Sequence, residues 1–260
     1  VKVLDLDIPG RLWLGTARYS SPMVLADALA VDGIGFVTVS LRRQNPGDRS
    51  GDQFWDLVKK ANKPVLPNTA GCHSAEEAIN LALMAREIFA TPWIKLEVIG
   101  DDYTLAPDPF ALVEAATELT KQGFHVLPYC TDDLILGQKL LDAGCPALMP
   151  WGAPIGTGGG LANPRALAAY RNKFHHVPCI VDAGIGAPSQ ACEAMEMGFD
   201  AVLLNTAVAK AGDPVLMAKA FSNAIQAGND AYRAGLMTPS DVAVPSTPVV
   251  GMPFWHQEPV

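Results

Sequence analysis

Residues 91–100 read TPWIKLEVIG, an apolar run in which Lys95 and Glu97 stand two positions apart. In an extended strand, side chains alternate between faces, so Lys95 and Glu97 share one face and Ile94, Leu96 and Val98 the other. Burial of a lysine disfavours its ammonium form and lowers the pKa from a reference near about 10.4. The neutral amine is a nucleophile that condenses with a ketone or aldehyde to an imine. Glu97 opposes that shift, because a neighbouring carboxylate favours the charged amine. A Glu97 that shuttles protons eases the conflict; the alternative is a structural ion pair at a strand end. A further acid, Asp182 in CIVDAGIG, closes a β-branched run just before glycines. It either exchanges protons with a substrate or serves as a turn or helix-capping residue.

Such residues need a scaffold that holds them on one inner face. Four segments share a grammar in which Gly33, Gly123, Gly144 or Gly198 follows an amphipathic stretch and precedes a short apolar run. That is the pattern of a left-handed glycine ending a helix ahead of a strand. Extending the search predicts eight strands, over 11–17, 36–41, 64–69, 93–98, 125–130, 147–150, 179–184 and 201–207. Helical patterns lie between them, over 74–89 and over 108–123 among others, the latter opened by Asp108 as N-cap and Pro109 at the first helical position. Eight such alternations in 260 residues predict an α/β fold, a (β/α)8 TIM barrel, with a doubly wound open sheet as the alternative. A single barrel domain is expected over 1–237, and the proline-bearing stretch 238–260 reads as a C-terminal appendage.

Active sites of barrels sit at the C-terminal ends of the strands. Asn68 and Thr69, Lys95 and Glu97, Trp151 and Gly152, Asp182 to Gly186, and Asn205 and Thr206 all fall at or just beyond expected strand ends. Three glycine-containing loops, GAPIGTGGG (152–160), AGIGAPS (183–189) and NTAVAKAGD (205–213), follow the late strands. Loops in those places hold phosphate on backbone N–H groups, so a phosphate monoester is the expected handle. Residues 156–161 read GTGGGL, which meets neither the Walker pattern nor G-x-G-x-x-G.

Composition narrows the partners. A net charge of -8 argues against a generic nucleic-acid surface. Apolar runs stop short of the roughly 20 residues of a membrane span, and VKVLDLDIPG lacks a signal-peptide layout, so neither membrane insertion nor secretion is expected. Five cysteines without a C-x-x-C pair suit a reducing cytoplasm. Cys130 and Cys179, in apolar strands, read as inert buried thiols. The five histidines show no metal-ligand spacing, so no metal is expected. The basic stretch LRRQNPGDR (41–49) reads as a solvated or subunit-contact surface.

Taken together, RLWLGTARYSSPMVLADAL, FVTVSLRR, VLPNTAGCHSAEEAINLALMARE, WIKLEVIGD, TLAPDPFALVEAA, GFHVLPYCTDD, ALMPWGAPIGTGGGL, VDAGIGAPSQACEAMEMGFDAVLLNTAVAKAGDPVLMAKAF and AGNDAYRAGL resemble the bacterial thiazole synthase family, in order from about residue 11 to 236. The resemblance implies that Lys95 forms an imine with the ketone of 1-deoxy-D-xylulose 5-phosphate, and that Glu97 and Asp182 move protons as the carbonyl shifts along the sugar. It implies sulfur delivered as a thiocarboxylate on a small ubiquitin-like sulfur carrier protein, ring closure by dehydroglycine, no cofactor, and a homo-oligomer, a tetramer. It places substrate contacts on Gly156, Ala183, Gly184, Asn205 and Thr206. Ala17 and Arg18 depart from the G-T-G-K stretch that the family more often carries. Two other functions remain open on the residues: an imine-forming aldolase acting on a sugar phosphate, and a non-catalytic barrel that binds the carrier.

Overall fold

The computed structural model describes residues 1–41 and 49–243, with side chains in the helix at 49–60 described from position 54 onward. Most of the basic stretch 41–49 and the tail beyond 243 lie outside the described residues. Eight parallel strands form one sheet: β1 (Leu12–Gly15), β2 (Ile34–Ser40), β3 (Val65–Asn68), β4 (Trp93–Leu96), β5 (His125–Cys130), β6 (Met149–Pro150), β7 (Ile180–Asp182) and β8 (Ala201–Leu204). Their spatial order is β6-β5-β4-β3-β2-β1-β8-β7. Parallel bridges Leu148↔Cys179 and Trp151↔Asp182 then join β6 to β7 and shut the ring. That closure excludes the open, doubly wound alternative, which would leave two unpaired edges.

Several strands end earlier than the sequence predicts, and β6 starts later, at Met149 rather than 147. Ala183 takes φ +68°, a left-handed conformation that cannot continue a strand, so β7 stops at Asp182. The expected run 201–207 divides into β8 and a short helix α8 (Thr206–Ala209). Helices α1 (Pro22–Leu29), α2 (Arg49–Lys60), α3 (Ala75–Phe89), α4 (Pro109–Lys121), α5 (Leu134–Asp142), α6 (Pro164–Lys173) and α7 (Pro188–Glu196) cover the ring, and α9 (Pro214–Ala234) packs on α7 and α1. Ser74 caps α3 by accepting from Glu77 N at 3.2 Å, and Asp108 caps α4 by accepting from Phe110 N and Ala111 N at 2.9 and 3.0 Å. Gly33, Gly123, Gly144 and Gly198 all have φ between +81° and +94°, as helix-ending glycines require.

Period-two alternation divides the apolar residues between two cores. Leu14, Val37, Val39, Ile94, Leu96, Val126 and Val181 face outward and pack under the helices. Trp13, Phe36, Leu66, Leu127, Met149, Ile180 and Leu203 fill the barrel interior, with Trp93 against them and Val3 and Ile8 from the N-terminal segment closing its base. Two residues further along each strand, the inward positions become Gly15, Thr38, Asn68, Lys95, Tyr129, Asp182 and Asn205. An apolar plug therefore gives way, one layer up, to a polar site.

Candidate active site

Lys95 is the last inward residue of β4, and its backbone is anchored on both flanks, opposite Asn68 of β3 and Leu127 of β5. Its Nζ lies 2.7 Å from Asp182 Oδ2 and 3.1 Å from Glu97 Oε1. All three side chains are buried. Burial disfavours the ammonium, but the two carboxylates outweigh it, and the pKa of Lys95 stands above its ordinary value. This corrects the expectation of an amine lowered toward neutrality: the resting site holds an ammonium. Asp182 is displaced in the same direction. Burial pushes its carboxyl up to about 6, against the pull of Lys95. Asp182 is therefore suited to take and return a proton near neutral pH.

The triad lies in a cavity of about 440 Å³ at the C-terminal mouth of the barrel, within the range of small-molecule sites. Gly156, Ala183, Gly184, Asn205 and Thr206 line that cavity together with Lys95, Glu97 and Asp182, so the three proton-handling residues and the five expected substrate contacts come to one place, whereas Thr69, Trp151 and Gly152, also expected at strand ends, do not line it. The loops after β6 and β7 pack backbone against backbone. A Cβ on Gly184 would stand 2.3 Å from Ala153 N, and one on Gly186 2.7 Å from the Cα of Gly158. Gln190 Oε1 accepts from Gly186 N at 2.8 Å and Ala187 N at 2.9 Å, so these N–H groups at the start of α7 are already satisfied. Gly15 leaves space inside the ring for Asn205, whose Cβ a methyl there would meet at 2.5 Å.

A family profile described as thiazole biosynthesis protein ThiG matches residues 2–248. The chain belongs to the ThiG family. Curated thiazole synthases from Paracidovorax citrulli (strain AAC00-1) and Ralstonia pickettii (strain 12J) are 60% and 58% identical to it over 250 and 259 residues. The first match spans 95% of this chain and 92% of the relative, the second 99% and 94%. Among solved structures, the Amycolatopsis orientalis BexX/CysO complex superimposes with TM-score 0.82 at 30% identity, covering 93% of this chain and 98% of the other. Its family thus makes this chain an enzyme of thiamin thiazole biosynthesis.

In this ThiG-family barrel the cavity also gathers residues that the strand pattern alone did not single out. Thr38 and Ser40 of β2 line it, as does Leu105 from the hairpin that pairs Ile99–Asp101 with Ala106–Pro107. Tyr129, two positions after Leu127, places its ring 5.7 Å from Lys95 Nζ and donates from its hydroxyl to Leu105 O at 3.3 Å. It thereby backs the ammonium and holds the hairpin over the site. Cys130 and Cys179 are fully buried, and burial pushes both thiols up to about 12, which keeps them unreactive. No group of three metal-ligating side chains occurs among the described residues. No helix among them is long and apolar enough to cross a membrane.

Proposed function

We propose that this thiazole synthase works through an imine on Lys95. The observation that carries the reading is a buried amine on the wall of a sugar-sized cavity with a carboxylate on either side, Asp182 at 2.7 Å and Glu97 at 3.1 Å. The ketone of 1-deoxy-D-xylulose 5-phosphate meets Lys95 while its phosphate rests on the loops carrying Gly156, Ala183, Gly184, Asn205 and Thr206. Asp182 takes a proton from the ammonium, and the free amine adds to the ketone carbon. The carbinolamine then loses its hydroxyl as water, using the proton Asp182 holds, and the imine remains.

Glu97 next removes the proton from the neighbouring hydroxyl-bearing carbon. Return of a proton to the former imine carbon, with loss of the enol proton, leaves the carbonyl one carbon along and Lys95 attached as an amine. The thiocarboxylate sulfur of a small ubiquitin-like carrier adds to that ketone and replaces its oxygen, which leaves with the carrier as a carboxylate; dehydroglycine then closes the ring, its nitrogen displacing the Lys95 amine from the sugar carbon. The BexX/CysO complex supports a protein partner for this barrel. In the same reading residues 1–237 form one catalytic domain, 238–260 an appendage, and the active form is a tetramer.

Borohydride reduction in the presence of the sugar phosphate tests the assignment. A covalent mass gain is expected on the peptide bearing Lys95 and none in Lys95→Ala, which also stops forming thiazole. Thiazole formation retained by Lys95→Ala overturns the mechanism. Transfer of labelled sulfur from thiocarboxylated carrier into product separates a thiazole synthase from an aldolase using the same lysine.

A further inference from the structure

We propose that Thr69 is the positioning residue that aims Glu97 at the reacting carbon, an inference that rests on the imine reading above. In a parallel ladder continued past Lys95, the N–H of Glu97 would go to the carbonyl of residue 69 and its C=O would receive the N–H of residue 71. The chain does not continue that way. At Thr69 it turns, its carbonyl accepting instead from Cys72 N at 3.2 Å. The Thr69 hydroxyl stands in for both lost partners: Oγ1 donates to Glu97 O at 2.8 Å and accepts from Glu97 N at 2.8 Å. Thr69 is wholly buried, and its own N–H donates to Lys95 O at 3.2 Å.

One hydroxyl thus fixes the backbone from which the Glu97 carboxylate reaches Lys95. Lys95 does not share this dependence, because its backbone is registered with Asn68 and Leu127. Loss of the hydroxyl therefore separates two steps: the amine still meets the ketone, while the base that must remove a proton from the next carbon loses its aim. Serine supplies the same donor and acceptor, whereas valine keeps the shape and supplies neither.

The test uses the full chain with 1-deoxy-D-xylulose 5-phosphate and no carrier, comparing borohydride trapping at Lys95 with deuterium exchange at the carbon next to the imine. In Thr69→Val, trapping is expected within about twofold of the unaltered chain while exchange falls by about 30-fold or more, the scale of a displaced general base. Thr69→Ser is expected to restore exchange. Exchange unaffected in Thr69→Val overturns the proposal, and so does an equal fall of trapping and exchange, which marks a merely structural role. If Thr69→Val unfolds by circular dichroism, Thr69→Ala is read by the same criteria, and unfolding of both assigns the hydroxyl to folding and also overturns it. An unaltered chain that gives no Lys95 adduct removes the imine reading itself.

Discussion

Asp182 Oδ2 lies 2.7 Å from Lys95 Nζ although the two residues stand on β7 and β4, with β5 and β6 between them in the ring. Barrel closure is what makes the contact, since both side chains point to the same axis from different sides. The contact joins the acid whose pKa burial raises to the amine that, in the proposed imine mechanism, must lose a proton. Asp182→Asn keeps the shape but accepts no proton. Its rate of borohydride-trapped adduct at neutral pH is expected to fall about 100-fold, the lower end for loss of a general base. Trapping at an undiminished rate would assign deprotonation of Lys95 elsewhere.

The raised carboxyl of Asp182 also sets a pH dependence. In the proposed mechanism its ionised form accepts the proton, so kcat/KM is expected to fall as pH drops through about 6, and the Asn variant is expected to lose that limb. Stability runs in the other direction. A folded-state pKa above the ordinary 3.8 means that protonation favours the fold, a contribution fully present below about 4 and lost as pH rises through about 6. Two pK units bound it at roughly 3 kcal/mol. Melting temperatures of the parent between pH 4 and 7 should carry this decline, and those of Asp182→Asn should not.

Strand parity was enough to put Lys95 and Glu97 on one face, because a charged residue among apolar neighbours marks the odd face out. It gave no such mark for Tyr129. Both faces of HVLPYC are buried, so alternation there is apolar against apolar and only the ring decides which side is inner. Closure itself was legible as a count of strand-helix units but not as pairing, since β6 contributes only Met149 and Pro150 to its ladder with β5. The hairpin within GDDYTLAPD is not among the elements expected from the sequence; it owes its place to Asp108 N donating to Val98 O at 2.9 Å, a contact made only once β4 and α4 are set. The direction of the Lys95 shift was misjudged for a related reason: burial was visible in the sequence, whereas the second carboxylate came from a distant strand.

Gly184 should be among the costlier single changes in the site loops. It has φ +77°, and a methyl there would meet Ala153 at N, O and Cβ within 2.5 Å, mostly unyielding backbone. Gly184→Ala therefore combines backbone strain with a steric clash, at a cost of about 2 kcal/mol or more. For a chain of this size that lowers the melting temperature by about 5 °C. KM for the sugar phosphate should rise as well, because the same loop lines the cavity. A melting temperature within about 1 °C of the parent would show that the loops after β6 and β7 yield more easily than their packing suggests.

Arg18 offers the last prediction. It lines the mouth of the cavity, is exposed, and takes φ +70° three residues after β1 ends at Gly15. The charge of Lys95 is answered by Asp182 and Glu97, while Arg18 has no ion-pair partner among the described residues. A phosphate entering this cavity therefore meets the Arg18 guanidinium, suited to paired hydrogen bonds with phosphate oxygens. Arg18→Gln retains a long polar side chain and leaves the backbone demand for a left-handed non-glycine residue unchanged. Its KM for the sugar phosphate is expected to rise about tenfold with kcat within about twofold, since the lost interaction is made equally in the ground and transition states. The rise should shrink with added salt, because an exposed charge at the mouth acts through screened solvent. Arg18→Lys should keep most of the affinity; a KM unchanged in Arg18→Gln would mean that the loop backbone alone holds the phosphate.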